Sequence, residues 1–197
     1  MSAARPGVLL DRDGTVLDEL GYLGRPEEVR YLTGAREAVA ALNAAALPVA
    51  MVTNQSGVAR GLFDEDDLAR VHARIDADLS EVGARIDAWF HCPHHPDVGA
   101  EPYRCVCRCR KPAPGMFLDA VDALGLDPAR SFAVGDAERD LDAARAAGIG
   151  HLLLVRTGKG ATTERTLGAD DVLAFDDLAQ AARWILARVE DESAQDR

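Results

Sequence analysis

The stretch Val8-Leu9-Leu10-Asp11-Arg12-Asp13-Gly14-Thr15-Val16 decides the fold. Three consecutive apolar residues read as the end of a buried strand, and they run into two acids spaced i, i+2 and then a Gly-Thr turn. Ligands of open parallel α/β sheets bind in the crevice at the carboxyl ends of the strands, so Asp11 and Asp13 stand where a rigidly held carboxylate can attack. Two carboxylates there repel each other and any anionic substrate unless a cation sits among them. A hard, oxygen-seeking ion such as Mg²⁺ meets that need.

At 197 residues the chain is long enough for one well-buried domain. We expect it to span residues 1–189, with a flexible polar tail over 190–197. The 22 Lys and Arg against 33 Asp and Glu leave a net charge of −11, which disfavours a non-specific grip on nucleic acid or an anionic membrane. An anionic substrate must then be met by a local cluster of cations. No apolar run approaches a bilayer span, and Met1 to Gly7 lacks the apolar core of a signal peptide, so the expected setting is the cytoplasm. Thiols stay reduced there, and the four cysteines read as metal ligands or free thiols rather than disulfides. The protein is taken to be a monomer.

Beyond the opening strand, residues 18–33 carry Gly and Pro without periodicity and read as a flap beside the site, with Glu19, Gly21 and Tyr22 close enough to touch a substrate. Ala35, Val39 and Leu42 lie at helical spacing. Val49 to Val52 is a second strand, delivering Thr53-Asn54-Gln55-Ser56-Gly57, whose hydroxyls and amides suit phosphate oxygens. Asp64 caps a helix with an apolar stripe of Leu68, Val71, Ile75, Leu79 and Val82, and His72 beside it reads as a partly exposed helix residue. Ile86 to His91 is the next strand. Pro114 opens a helix that Gly125 ends. Ser131 to Val134 leads into Gly135-Asp136-Ala137-Glu138-Arg139-Asp140, where Asp136 stands at a strand end as Asp11 does. His151 to Val155 and Val172 to Ala174 complete the strands, and Asp176 caps a closing helix. The Gly-rich turn Arg156 to Gly160 reads as a connection, with Lys159 near the site entrance. This alternation predicts an α/β, Rossmann-like parallel sheet sandwiched by helices, with no large cap domain.

Between the third strand and Pro114 lies Cys92-Pro93-His94-His95-Pro96, then eight residues, then Cys105-Val106-Cys107-Arg108-Cys109-Arg110-Lys111-Pro112. Three thiolates and one imidazole from a C-x-H and a C-x-C pair close a tetrahedral Zn²⁺ site of the structural kind. Either Cys105 with Cys107 or Cys107 with Cys109 supplies the second pair, and His94 or His95 the imidazole. Such a zinc loop, residues 92–109, aims Arg110 and Lys111, which follow its last ligand.

In chain order, D-x-D-G-T-V, the T-N-Q-S-G turn, Lys111 and G-D-x-x-x-D resemble the four motifs of the haloacid-dehalogenase-like phosphohydrolases, over residues 8 to about 175. The resemblance implies Asp11 as nucleophile, Asp13 as general acid and base, Thr53 and Lys111 on the transferring phosphoryl group, and Mg²⁺ held by Asp11, Asp13 and Asp136. Asn54, Gln55, Ser56, Arg12, Glu19, Tyr22 and Arg110 are then the candidates for substrate contact. It also favours Cys92, His94, Cys107 and Cys109 as the zinc ligands. D-R-D-G-T with C-P-H-H-P, C-x-C-R-K-P and V-R-T-G-K is similar to the small zinc-containing branch, which holds heptose 1,7-bisphosphate 7-phosphatases and histidinol-phosphate phosphatases. The run T-N-Q-S-G-V-A-R-G-L-F resembles the heptose enzymes, so a small sugar phosphate is the expected substrate. Ala137 departs from their pattern, where a Lys often stands. A DNA-end phosphatase, which shares the catalytic motifs, is disfavoured by the acidic balance.

Overall fold

The computed structural model of the chain describes residues 4–167 and 172–195. Six parallel strands form one sheet in the order β3-β2-β1-β4-β5-β6. They are β1 (Val8–Leu10), β2 (Val49–Asn54), β3 (Ala88–Cys92), β4 (Phe132–Gly135), β5 (His151–Val155) and β6 (Leu173–Phe175). Strand order reverses at β1, where Leu9 is in register with Ala50 of β2 on one side and Ala133 of β4 on the other. A crevice opens at such a reversal because the connections leave β1 and β4 in opposite directions.

The helices are α1 (Ala35–Ala44), α2 (Glu65–Ser80), α3 (Gly115–Leu124), α4 (Glu138–Ala146), α5 (Gly160–Thr166) and α6 (Leu178–Gln195). Side chains alternate across the sheet with period two. Val8, Leu10, Met51 and Val134 pack against α1, α2 and α6, while Leu9, Ala50, Val52 and Ala133 face α3 and α4. The three side chains of β1 are fully buried, each stabilising by roughly 1.5–3 kcal/mol. The strand that leads into Asp11 is thereby firmly anchored at the centre of the sheet.

Several local expectations need correction. The 190–197 tail is helical as far as Gln195, where α6 ends, and residues 196–197 lie outside the described residues. The cap of α6 is Asp177, whose Oδ1 accepts the Gln180 N–H at 2.8 Å. Asp176 instead pairs with Arg156 at 2.8 Å. Helix α5 was not expected, because Gly160-Ala161-Thr162-Thr163 offers β-branched residues and no apolar stripe. Asp64 caps α2 as read, exchanging hydrogen bonds with Asp67 at 2.7 and 3.0 Å.

Candidate active site

Asp11 leaves the end of β1 with its backbone N–H bonded to Val134 O at 2.9 Å, so both central strands fix it. Its Oδ1 accepts a hydrogen bond from Lys111 Nζ at 2.6 Å. Lys111 is wholly buried and also donates to Val52 O at 2.7 Å. The same ammonium lies 2.7 Å from Asp140 Oδ1. Burial works to discharge this lysine, but Asp11 and Asp140 outweigh it and raise its pKa, so it stays charged.

Asp136 is fully buried just past β4. Its Oδ2 accepts the Lys159 N–H at 2.7 Å, while its Oδ1 is buried with no partner. Burial pushes Asp136 up to about 6 and Asp11 up to about 7, the latter against the pull of Lys111. Asp11, Asp136 and Asp140 place one carboxylate oxygen each within 4.8 Å of one another. An orphaned carboxylate oxygen among three crowded acids, of which Lys111 pairs with two, fits a hard divalent cation. Such an ion would restore the ionised forms.

The turn after β5, read as a plain connection, is part of this wall. Thr157 Oγ1 donates to Gly14 O at 2.6 Å, and Thr163 Oγ1 to Asp136 O at 2.9 Å. Gly14 and Gly158 both hold positive φ, and a Cβ at either would fall 2.3 or 2.2 Å from Asp136 Oδ2. Glycine is required there because the two backbones close around a carboxylate.

Opposite lies the sulfur cluster. Cys109 Sγ is 3.3 Å from Cys92 Sγ and 3.2 Å from Cys107 Sγ, and His94 Nδ1 is 3.4 Å from Cys109 Sγ. These four residues lie close enough together to hold one metal ion. Cys105 is outside the group, and His95 Nδ1 accepts the Asp97 N–H at 3.1 Å. Three thiols and an imidazole are a donor set for a thiophilic ion.

The cleft between these features has a volume of about 330 Å³. Asp11, Asp13 and Thr53 line its floor; Glu19, Tyr22, Ser56, Arg60, Arg110, Arg139 and Lys159 line its walls. Comparison with known proteins places the arrangement. The HAD-hydrolase-like family profile matches residues 108–181. The D-glycero-β-D-manno-heptose-1,7-bisphosphate 7-phosphatase of Photorhabdus laumondii is 40% identical over 186 residues, covering 94% of this chain and 99% of that protein. The protein of the same name in Escherichia coli K12 is 41% identical over 184 residues, covering 93% and 96%. The crystal structure of D,D-heptose 1,7-bisphosphate phosphatase from B. bronchiseptica, complexed with magnesium and phosphate, matches with a TM-score of 0.84 at 39% identity, over 93% of this chain and 99% of that one.

The chain belongs to the haloacid-dehalogenase-like phosphatases.

For a phosphatase of this family, one expected substrate contact, Arg12, lies outside the cleft as an internal brace, while Asn54 and Gln55 line the cleft and brace their neighbours as well. Arg12 is completely buried, with Nε 3.2 Å and Nη2 3.0 Å from the Asp13 carboxylate, and does not line the cleft. The Gln55 amide donates to Asp13 Oδ2 at 2.9 Å and to Thr53 Oγ1 at 2.7 Å. Asn54 clamps the Lys111 backbone, donating to its O and accepting from its N–H, both at 3.0 Å. Glu19 is paired with Lys159 at 2.8 Å, Tyr22 lies under Arg60 at 5.5 Å, and Arg110 donates to His94 O at 3.1 Å. His72, expected to be partly exposed, is buried beside Arg12.

Two cleft-lining cations were missed as contacts. Arg60 follows the T-N-Q-S-G turn, where nothing in the local pattern says which way it points. Arg139 stands in the first turn of α4 with its Nε buried and unpartnered, 3.9 Å from Asp140. Its place one residue before the motif acid was the available signal.

Proposed function

We propose that this phosphatase removes the 7-phosphate of D-glycero-β-D-manno-heptose 1,7-bisphosphate. The observation that carries the chemistry is Asp11, braced between β1 and β4 with its carboxylate 2.6 Å from the buried Lys111. Asp11 attacks phosphorus in line, forming a P–O bond as the ester bond to the sugar oxygen breaks. Asp13 gives that oxygen a proton, then takes one from the water that splits the aspartyl-phosphate and releases inorganic phosphate. Thr53 and Lys111 face the charge that develops on the phosphoryl oxygens. Mg²⁺, held by the carboxylates of Asp11 and Asp136 and the backbone carbonyl of Asp13, would supply charge neutralisation and fix the phosphate. Cys92, His94, Cys107 and Cys109 hold Zn²⁺ in a structural role, and their reduced thiols suit the cytoplasm.

The choice of substrate rests on the cleft walls and the relatives. With Lys159 paired to Glu19, the arginines Arg60, Arg110 and Arg139 still give the cleft more positive charge than one phosphoryl group needs, as a bisphosphate requires. L-histidinol phosphate has no second phosphate to meet them. The test is Mg²⁺-dependent phosphate release from both anomers of the heptose bisphosphate, from L-histidinol phosphate and from a 5′-phosphorylated DNA end, with Asp11→Asn as control. Selective turnover of the β anomer, lost in Asp11→Asn, is the expected result. Preference for histidinol phosphate or DNA would overturn the substrate and leave the roles of Asp11 and Asp13 standing.

A further inference from the structure

Arg12 is the largest fully buried side chain among the described residues, and it turns its guanidinium to one neighbour in the cleft, Asp13. Nε lies 3.2 Å from both carboxylate oxygens, and Nη2 is 3.0 Å from Oδ2. The remaining nitrogen, Nη1, points away from the cleft to His72 Nε2 at 3.4 Å. An arginine is always a donor, so Nε2 must accept and the imidazole proton must sit on Nδ1. The ring is stacked on Trp89 with centroids 4.0 Å apart and planes 16° from parallel. His91 meets its edge at 5.8 Å. Trp89 of β3 is tied in turn to Asp76, one turn beyond His72 on α2, by an Nε1 hydrogen bond of 3.1 Å. The imidazole therefore has little freedom to turn.

We infer that His72 is a positioning residue for the proton-transfer group: by accepting from Arg12 Nη1 while pinned against Trp89, it fixes the guanidinium plane that sets the direction of the Asp13 carboxylate. Burial and the adjacent Arg12 charge both hold the imidazole neutral, so its acceptor lone pair persists across the working pH range. The inference rests on the proposed role of Asp13 as general acid. Without the histidine acceptor, Nη1 is a buried charged donor left unpaired. The guanidinium then turns to seek another partner and carries Asp13 with it.

The test separates positioning from mere folding through the leaving group. kcat/KM reports steps up to departure of the leaving group, and a misplaced acid matters most where the departing oxygen is most basic. In a series of aryl phosphates of rising leaving-group pKa, His72→Leu is expected to steepen the fall of kcat/KM. The loss should be about tenfold at the basic end, a fraction of what a general acid contributes, and near twofold for a nitrophenyl ester. His72→Gln, which keeps an acceptor, should restore most of the loss and provides a folded reference if the leucine variant is unstable. Asp13→Asn must steepen the same plot further. A flat Asp13→Asn plot would show that Asp13 is not the acid, overturning the mechanism before His72 is judged. A steep Asp13→Asn plot with equal losses for all esters in His72→Leu would overturn the positioning role alone. Because the series needs no heptose, an error in the proposed substrate leaves the result untouched.

Discussion

Lys111 shows how much can hang on one side chain. It is wholly buried, and its three contacts at 2.6, 2.7 and 2.7 Å are with Asp11, the Val52 carbonyl and Asp140. Removing one partner of a buried ion pair leaves uncompensated charge and costs about 3–5 kcal/mol. Lys111→Met should therefore lower the metal-free protein's stability to urea by that amount, and Mg²⁺, by replacing the lost positive charge, should return part of it. Arg139 calls for the opposite outcome. Its Nε is unpartnered and, among the described residues, its one ion pair is long, so Arg139→Ala should change stability far less. If Arg139 meets the phosphate that stays on the substrate, KM for the bisphosphate should rise about tenfold with a smaller change in kcat, as loss of one charge-assisted contact implies. The residues proposed to act on phosphorus were legible in the sequence, because Asp11, Asp13 and Thr53 stand at or just past strand ends and Lys111 closely follows the pair Cys107 and Cys109. Arg12 was misread because a polar side chain beside a motif looks the same whether it faces a substrate or braces the residue that does; Asn54 and Gln55 line the cleft and brace Lys111 and Asp13 from there. Only burial and the identity of the partner separate the two.

The elements divide the work between rigid strands and loops that need external fixing. All six strands could be read from apolar runs bounded by turn residues, since β-strand periodicity is a local property of the chain. The turn after β5 could not. Its importance lies in Gly14 and Gly158 meeting across 144 positions of sequence around Asp136, a contact that no local pattern encodes. The 92–109 loop is the element most in need of support. It supplies Cys107 and Cys109 immediately before Arg110 and Lys111, and the Asn54 clamp holds only the Lys111 backbone. Cys109→Ser should thus lower bound zinc and reduce kcat about 10- to 100-fold, the range typical of disturbed metal-site support. Cys105→Ser, outside the cluster, should keep both zinc content and turnover. Metal analysis alongside rate measurements on the two variants makes the comparison, and equal losses would show that the cluster does not aim the lysine.

At the scale of the molecule, the buried ionisable groups set opposing responses to pH. His72 is pushed down to about 3 by burial and by Arg12, whereas in an unfolded chain it titrates near 6.5. Below pH 6.5 the unfolded chain takes up a proton that the native protein refuses, so this residue's contribution is fully favourable above 6.5 and is lost as pH falls toward 3. The slope approaches 1.4 kcal/mol per pH unit, or about 2 kcal/mol of stability lost at pH 5. Asp11 works in the other direction. In the metal-free protein it holds its proton up to about 7 against 3.8 in the unfolded chain, and Asp136 does so up to about 6, so both favour the native state as pH falls from 7 toward 4. The two tendencies mask each other in a single curve, and the difference between wild type and His72→Leu isolates the histidine because the carboxylates are common to both. Urea unfolding of the metal-free pair from pH 7.5 to 5 should show the variant gaining on wild type by about 1.4 kcal/mol for each pH unit below 6.5. A constant difference would mean that His72 protonates in the folded state, and that the aromatic stack and the arginine beside it leave room for its charge.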